Sequence, residues 1–189
     1  MISVSLKKEI VVNKAVCGAI GVAAFVVMTA LSAFVRIPLP FTPVPITLQT
    51  FFVLLSGAVL GSQLGAISQL TYLFLGIYGV PVFSLATPSG LFLIGPTAGY
   101  LIGFIFAPVV VGRALKICGN NWLRVFAIFY LADFILLGCG SLWLSLVYKL
   151  SFGQAFLQGF LPFAIVDLFK VSLATGLYLS FSKRISQIF

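Results

Sequence analysis

Asp167 and Lys170 stand three residues apart in the apolar run Pro162-Phe163-Ala164-Ile165-Val166-Asp167-Leu168-Phe169-Lys170. On a helix that spacing puts both on one face, with Cβ atoms about 5–6 Å apart. A carboxylate beside an ammonium offers acceptors and donors together, which is what a urea or amide group needs. The same spacing also suits a buried ion pair that only holds a bundle together, and the residues alone leave both readings open. Asp133 is a further charged residue inside an apolar run, readable as a bonded structural carboxyl or a functional one. Each such residue costs about 2.5–3.5 kcal/mol at the centre of a membrane helix, so it requires a partner.

Weaker polar signals surround this set. Thr47 and Gln49 follow a proline-rich stretch, and Gln69 and Tyr72 lie in the next apolar run; each suits a ligand contact or a neighbouring backbone group. Gly95, Gly99 and Gly103 recur every four residues, a stripe that lets another helix approach closely. Pro96 within it leaves the amides that follow free to receive an anion or a carbonyl. Ala15, Ala19 and Ala23, with Gly18 beside them, make a second smooth stripe for a helix of the same chain or of a partner.

Composition removes several chemistries. The chain has no histidine, so neither a histidine base nor a histidine metal site exists. Cys17, Cys118 and Cys139 are too widely spaced for a CxxC motif and read as packing residues, so neither disulfide nor zinc is expected. No Gly-Lys pair is present to build a phosphate loop. The formal charge of +8 comes from basic residues scattered at the ends of apolar runs, which suits membrane orientation and not nucleic acid.

The elements that must position these residues are membrane spans. Of 189 residues, 61% are hydrophobic and 7% charged, and the 76 residues from Ile37 to Gly112 carry no charge, against about 20 apolar residues for one crossing. Proline, glycine and charge punctuation divide the chain into six expected helices near 14–35, 45–61, 63–79, 91–112, 122–148 and 156–181, the second and third forming a hairpin. The expectation is thus a single all-α domain over 1–189, a six-transmembrane-helix bundle whose first span is retained because no cleavage site follows it. With both termini cytoplasmic, Lys7, Lys8, Lys14, Arg113, Lys116, Arg124, Lys183 and Arg184 fall inside, and Arg36 and Lys149 outside. That asymmetry favours this orientation. On this layout Asp167 and Lys170 lie eleven and fourteen residues from the outer start of the last helix, at the floor of an outward-opening pocket.

Taken together, Ile37-Pro38-Leu39-Pro40, Pro43 through Thr50, Tyr72 through Gly76 with Gly79 through Phe83, Gly95-Pro96-Thr97 to Phe104, and Asp167-Leu168-Phe169-Lys170 closely resemble the BioY family. These are biotin-specific substrate-binding subunits (S components) of energy-coupling factor transporters. The resemblance runs in order over nearly the whole chain. It implies high-affinity biotin uptake at the cytoplasmic membrane, no catalysis, and no cofactor beyond biotin as the carried ligand. It implies a biotin pocket opening outward under loops one and three, an alanine-rich first helix (Ala15, Ala19 and Ala23) facing a transmembrane coupling subunit, and cytoplasmic ATPase subunits as further partners; the ligand-binding residues expected in that pocket are Asp167, Lys170, Thr97, Tyr100, Gly95, Gln49, Thr47 and Arg36. Two departures from the family's pattern stand out: Ser84 through Gly90 is less glycine-rich, and Leu136-Leu137-Gly138 replaces a segment that tends to carry a tyrosine. An S component for another small vitamin, and a membrane enzyme using Asp133 and Asp167 as acid and base, are the alternatives.

Overall fold

A computed structural model describes the backbone of residues 2–83, 95–119 and 121–188, and the side chains of those between 14 and 182. Among the described residues five helical stretches are long and apolar enough to cross a membrane. The first, α1 (Ile2–Ser32), contributes the apolar segment Lys14–Ser32. Its last turn tightens, Phe34 N donating to Leu31 O and Val35 N to Ser32 O, and Pro38 then holds the chain extended. Here β1 (Arg36–Ile37) pairs antiparallel with β2 (Ile46–Thr47), in the register Arg36 to Thr47 and Ile37 to Ile46. The second helix therefore starts at Gln49 and not at 45, because the residues after Pro45 are taken into a strand pair.

The next helix, α2 (Gln49–Ile77), is broken at Gly61, whose φ of 78° and ψ of 179° suit glycine alone. Gln49 Nε2 donates to the Tyr72 hydroxyl at 2.7 Å and Gln69 Nε2 to Ser56 Oγ at 3.3 Å. A straight helix would hold those pairs roughly 35 and 20 Å apart. The two limbs of α2 therefore run antiparallel, as the hairpin expectation requires.

The third helix, α3 (Ala98–Cys118), begins later than 91 and runs past 112. Gly95-Pro96-Thr97 forms a turn, with Ala98 N donating to Gly95 O, so Gly95 stands outside the helix and the three-glycine stripe is cut to two. Gly99 and Gly103 do pack closely: a Cβ on Gly99 would lie 2.2 Å from Trp143 Cβ, and one on Gly103 2.9 Å from Leu136 Cα. The partner is α4 (Trp122–Tyr148), whose bounds match the expectation and which Asn121 caps by accepting from Leu123 N.

One helix was expected over 156–181; two are present. Ser151 and Gln154 form a capping box that starts α5 (Phe152–Gly159), and the backbone departs from helical geometry at Phe160 before α6 (Leu161–Ile188). Asp167 and Lys170 consequently lie six and nine residues into α6, closer to its start than expected. Large apolar side chains such as Ile20, Val27, Leu31, Phe169, Leu173 and Phe181 point outward, whereas Thr29, Ser56, Gln69, Asp133, Asp167 and Thr175 are buried. That inside-out distribution suits a bilayer, where polar groups must find partners within the protein. The chain is a membrane protein.

Candidate functional site

A pocket opens among α2, α3, α4 and α6. Its walls are mostly apolar: Val44 and Pro45 before β2, Phe83 beyond α2, Leu101 and Phe104 on α3, Leu136 and Leu137 on α4, and Phe163 on α6. Polar groups converge from Thr47, Gln49, Thr50, Tyr72, Thr97, Tyr100, Asp167 and Lys170. Polar groups set in an apolar wall can fix a small molecule's orientation while burial supplies the driving force.

Lys170 is the hub. Its Nζ pairs with Asp167 Oδ1 at 2.5 Å and donates to Thr47 O at 2.6 Å and Thr50 Oγ1 at 3.2 Å. All three ammonium donors are thus engaged, and a ligand carbonyl entering here must replace one acceptor. Asp167 is 1% exposed, and its second oxygen accepts no hydrogen bond from the described residues. The pair is therefore both a structural link between α6 and the start of α2 and an acceptor-donor couple on the pocket floor.

A second chain of hydrogen bonds stiffens the wall. Thr47 Oγ1 donates to Gln49 Oε1 at 3.2 Å, Gln49 Nε2 to the Tyr72 hydroxyl, and that hydroxyl to Val82 O at 3.2 Å. Phe83 stacks edge-on against Tyr72, their centroids 5.4 Å apart. The strand pair, both limbs of α2 and the segment after Gly79 are thereby locked together around the pocket.

Tyr100 presents its ring to the pocket while its hydroxyl donates to Gly159 O at 2.5 Å. The ring fits because of two glycines: a Cβ on Gly140 would come 2.2 Å from it, and one on Gly159 would reach its hydroxyl at 2.8 Å. Thr97 ends the turn that precedes α3 and lines the pocket. The amides expected to be free after Pro96 are in part spent, Ala98 N on Gly95 O and Tyr100 N on Thr97 O.

Two expected residues lie elsewhere. Gly95 does not line the pocket; its carbonyl accepts from Trp143 Nε1 at 3.0 Å. Arg36 is exposed on β1 and outside the lining, although its strand partner Thr47 lines the pocket. Gln69 is also outside, fully buried and donating to Thr29, Ser56 and Ser68 hydroxyls, which binds α1 to both limbs of α2. Thr50 and Phe163 were not singled out as site residues. Phe163 precedes Asp167 by one helical turn, so a 163-167-170 face was readable from spacing. Thr50 had only its place three residues after Thr47. Ser84 through Gly90, and the side chains of Lys7, Lys8, Lys183 and Arg184, lie outside the described residues.

On the opposite side of α2's second limb, Ala15, Ala19 and Ala23 are exposed along α1 and share a shallow apolar groove with Leu64, Ile67, Thr71 and Leu75. Only Gly18 of that stripe is buried, in contact with Leu64. The stripe is thus not consumed by packing within the chain.

Comparison with known proteins adds to this geometry. Over 165 residues the chain is 38% identical to the biotin transporter BioY of Thermotoga maritima, covering 84% of this chain and 92% of that protein. It is 36% identical over 156 residues to the biotin transporter BioY of Rhizobium etli, covering 78% and 83% of the two chains. A crystal structure of the S-component for biotin from an ECF-type ABC transporter superposes with a TM-score of 0.84 at 27% identity, covering 90% of this chain and 93% of that one. The model of the BioY family matches residues 7–187, and with a shared fold, a shared length and this degree of identity the chain belongs to the BioY family.

Proposed function

We propose that this chain binds biotin in the pocket above Asp167 and Lys170 and acts as the substrate-specific subunit of an energy-coupling factor transporter in the cytoplasmic membrane. The observation that carries the reading is the buried Asp167–Lys170 pair at the base of an apolar pocket, in a chain whose relatives bear the name biotin transporter. Biotin's ureido N–H groups donate to the Asp167 carboxylate, and its ureido oxygen takes one Lys170 donor. Its apolar rings lie against Phe104, Leu136, Leu137 and Phe163, and its valerate points toward Thr97 and the pocket mouth. Biotin is cargo, and the chain performs no catalysis.

Each limb of α2 makes its own crossing, which with α1, α3, α4 and the α5–α6 stretch gives six, both termini on the cytoplasmic side. Arg113 and Lys116 near the end of α3 and Arg124 at the start of α4 then meet the negative inner surface. The exposed alanine stripe of α1 packs on a transmembrane coupling subunit, and ATPase subunits supply the energy this chain has no phosphate loop to draw on. Calorimetric titration of the purified protein with biotin, thiamine and riboflavin tests the assignment: tight binding of biotin alone supports it, and tight binding of another vitamin with none of biotin overturns it.

A further inference from the structure

Three ionisable groups meet beneath the pocket, Asp133 at 0%, Asp167 at 1% and Lys170 at 8% exposure. Lys170 compensates one carboxylate and has no donor left for a second, its three bonds going to Asp167, Thr47 and Thr50. Among the described residues no N–H or hydroxyl donor reaches either oxygen of Asp133, and the group within hydrogen-bond reach of it is the Asp167 carboxyl. The other titratable groups around this point are committed elsewhere. On α4 itself the Tyr130 hydroxyl donates to Ala164 O; from α2 the Tyr72 hydroxyl donates to Val82 O; from α3 the Tyr100 hydroxyl donates to Gly159 O. The short α5 carries no titratable residue.

Two bare carboxylates in contact, with a single ammonium that is bonded to one of them and no water-exposed surface, would repel and leave buried charge without a partner. One proton turns that repulsion into a charge-assisted O–H···O bond, among the stronger hydrogen bonds a protein makes. We infer that Asp133 is held as a neutral carboxylic acid behind the pocket, its O–H donating to Asp167. The floor then offers the ligand one carboxylate and one ammonium with no net charge, which favours a neutral urea over a cation. Asp133 does not line the pocket, so it is a positioning residue acting through Asp167. This consequence for the ligand rests on the biotin reading; the proton itself does not.

Asp133 and Asp167 are the only aspartates in the sequence. Aspartate labelled with ¹³C at the side-chain carboxyl therefore reports on these two groups alone. In an ester-free detergent at neutral pH, infrared spectra of the ligand-free protein should show one labelled group with the C=O stretch of a protonated acid and one with carboxylate bands. The acid band should vanish in Asp133→Asn. Carboxylate bands alone in the unsubstituted protein overturn the inference, as does an acid band that persists in Asp133→Asn. Asp133→Asn, which keeps a donor, should also hold biotin affinity within about threefold at neutral pH, while Asp133→Leu loses tenfold or more. Equal affinity of the two variants contradicts the positioning role. If neither the parent nor Asp133→Asn binds biotin but the acid band behaves as stated, the biotin reading fails and the assignment of the proton stands.

Discussion

Replacing Lys170 with methionine keeps the length of the side chain and removes its charge and its three donors. What is left behind sets the cost. Asp167, 1% exposed, loses its counter-charge, and Thr47 O and Thr50 Oγ1 lose a donor. Removing one partner of a buried ion pair costs about 3–5 kcal/mol, on the order of 10 °C in unfolding temperature for a chain of this size. Asp167→Asn should cost less, about 1–3 kcal/mol, because the ammonium retains two of its three acceptors. In the double variant no uncompensated charge remains, so its loss should be clearly smaller than the sum of the two single losses. Binding should not recover in parallel. Each single variant should weaken biotin binding by about 2–5 kcal/mol, and the double variant should bind no better than the weaker of them. Thermal unfolding in detergent and calorimetric titration on the four proteins complete the cycle. Strictly additive stability losses, or a Lys170→Met protein that binds biotin like its parent, would refute the coupling of the pair to the ligand.

Other parts of the molecule make separable demands. Ala19→Trp on the exposed stripe should leave biotin affinity intact and abolish energised uptake in cells; loss of binding instead would place the stripe in the fold's own core. In a chain with Cys17, Cys118 and Cys139 replaced, an impermeant thiol reagent should label Lys149→Cys from outside intact cells and leave Lys116→Cys unlabelled, and the reverse pattern contradicts the orientation. Gly61→Ala meets no atom within 4 Å of its new Cβ, yet the φ of 78° should cost about 1–3 kcal/mol in thermal unfolding through backbone strain alone.

The parts of this molecule readable from sequence are those set by local chemistry. The Gly61-Ser62-Gln63 break is enough to turn one long apolar run into a hairpin, and the three-residue spacing of Asp167 and Lys170 is enough to pair them. Where tertiary partners decide, the sequence is silent. Nothing before the fold is known says that the Tyr100 hydroxyl meets a carbonyl 59 residues away on Gly159, or that Gly140 clears space for its ring. The turn before α3 is likewise tied to a distant element, the Gly95 carbonyl accepting from both Ala98 N and Trp143 Nε1. Arg36 is a different case: its place near the end of an apolar run suits a ligand carboxylate, whereas the fold leaves it exposed on β1 and outside the pocket lining. Asp133 was visible as an anomaly, and only the packing of α4 on α6 reveals that the group it faces is a second acid.

Competition against biotin by two analogues tests the central claim most directly, because each alters one end of the ligand. Biotin methyl ester loses only the carboxylate charge at the mouth, whereas 2-iminobiotin changes the ureido group set against Asp167 and Lys170. The ester should retain most of biotin's affinity, and 2-iminobiotin should bind much more weakly at neutral pH. An ester that fails to bind beside an imino analogue that binds like biotin would invert the ligand and make Lys170 the partner of its carboxylate.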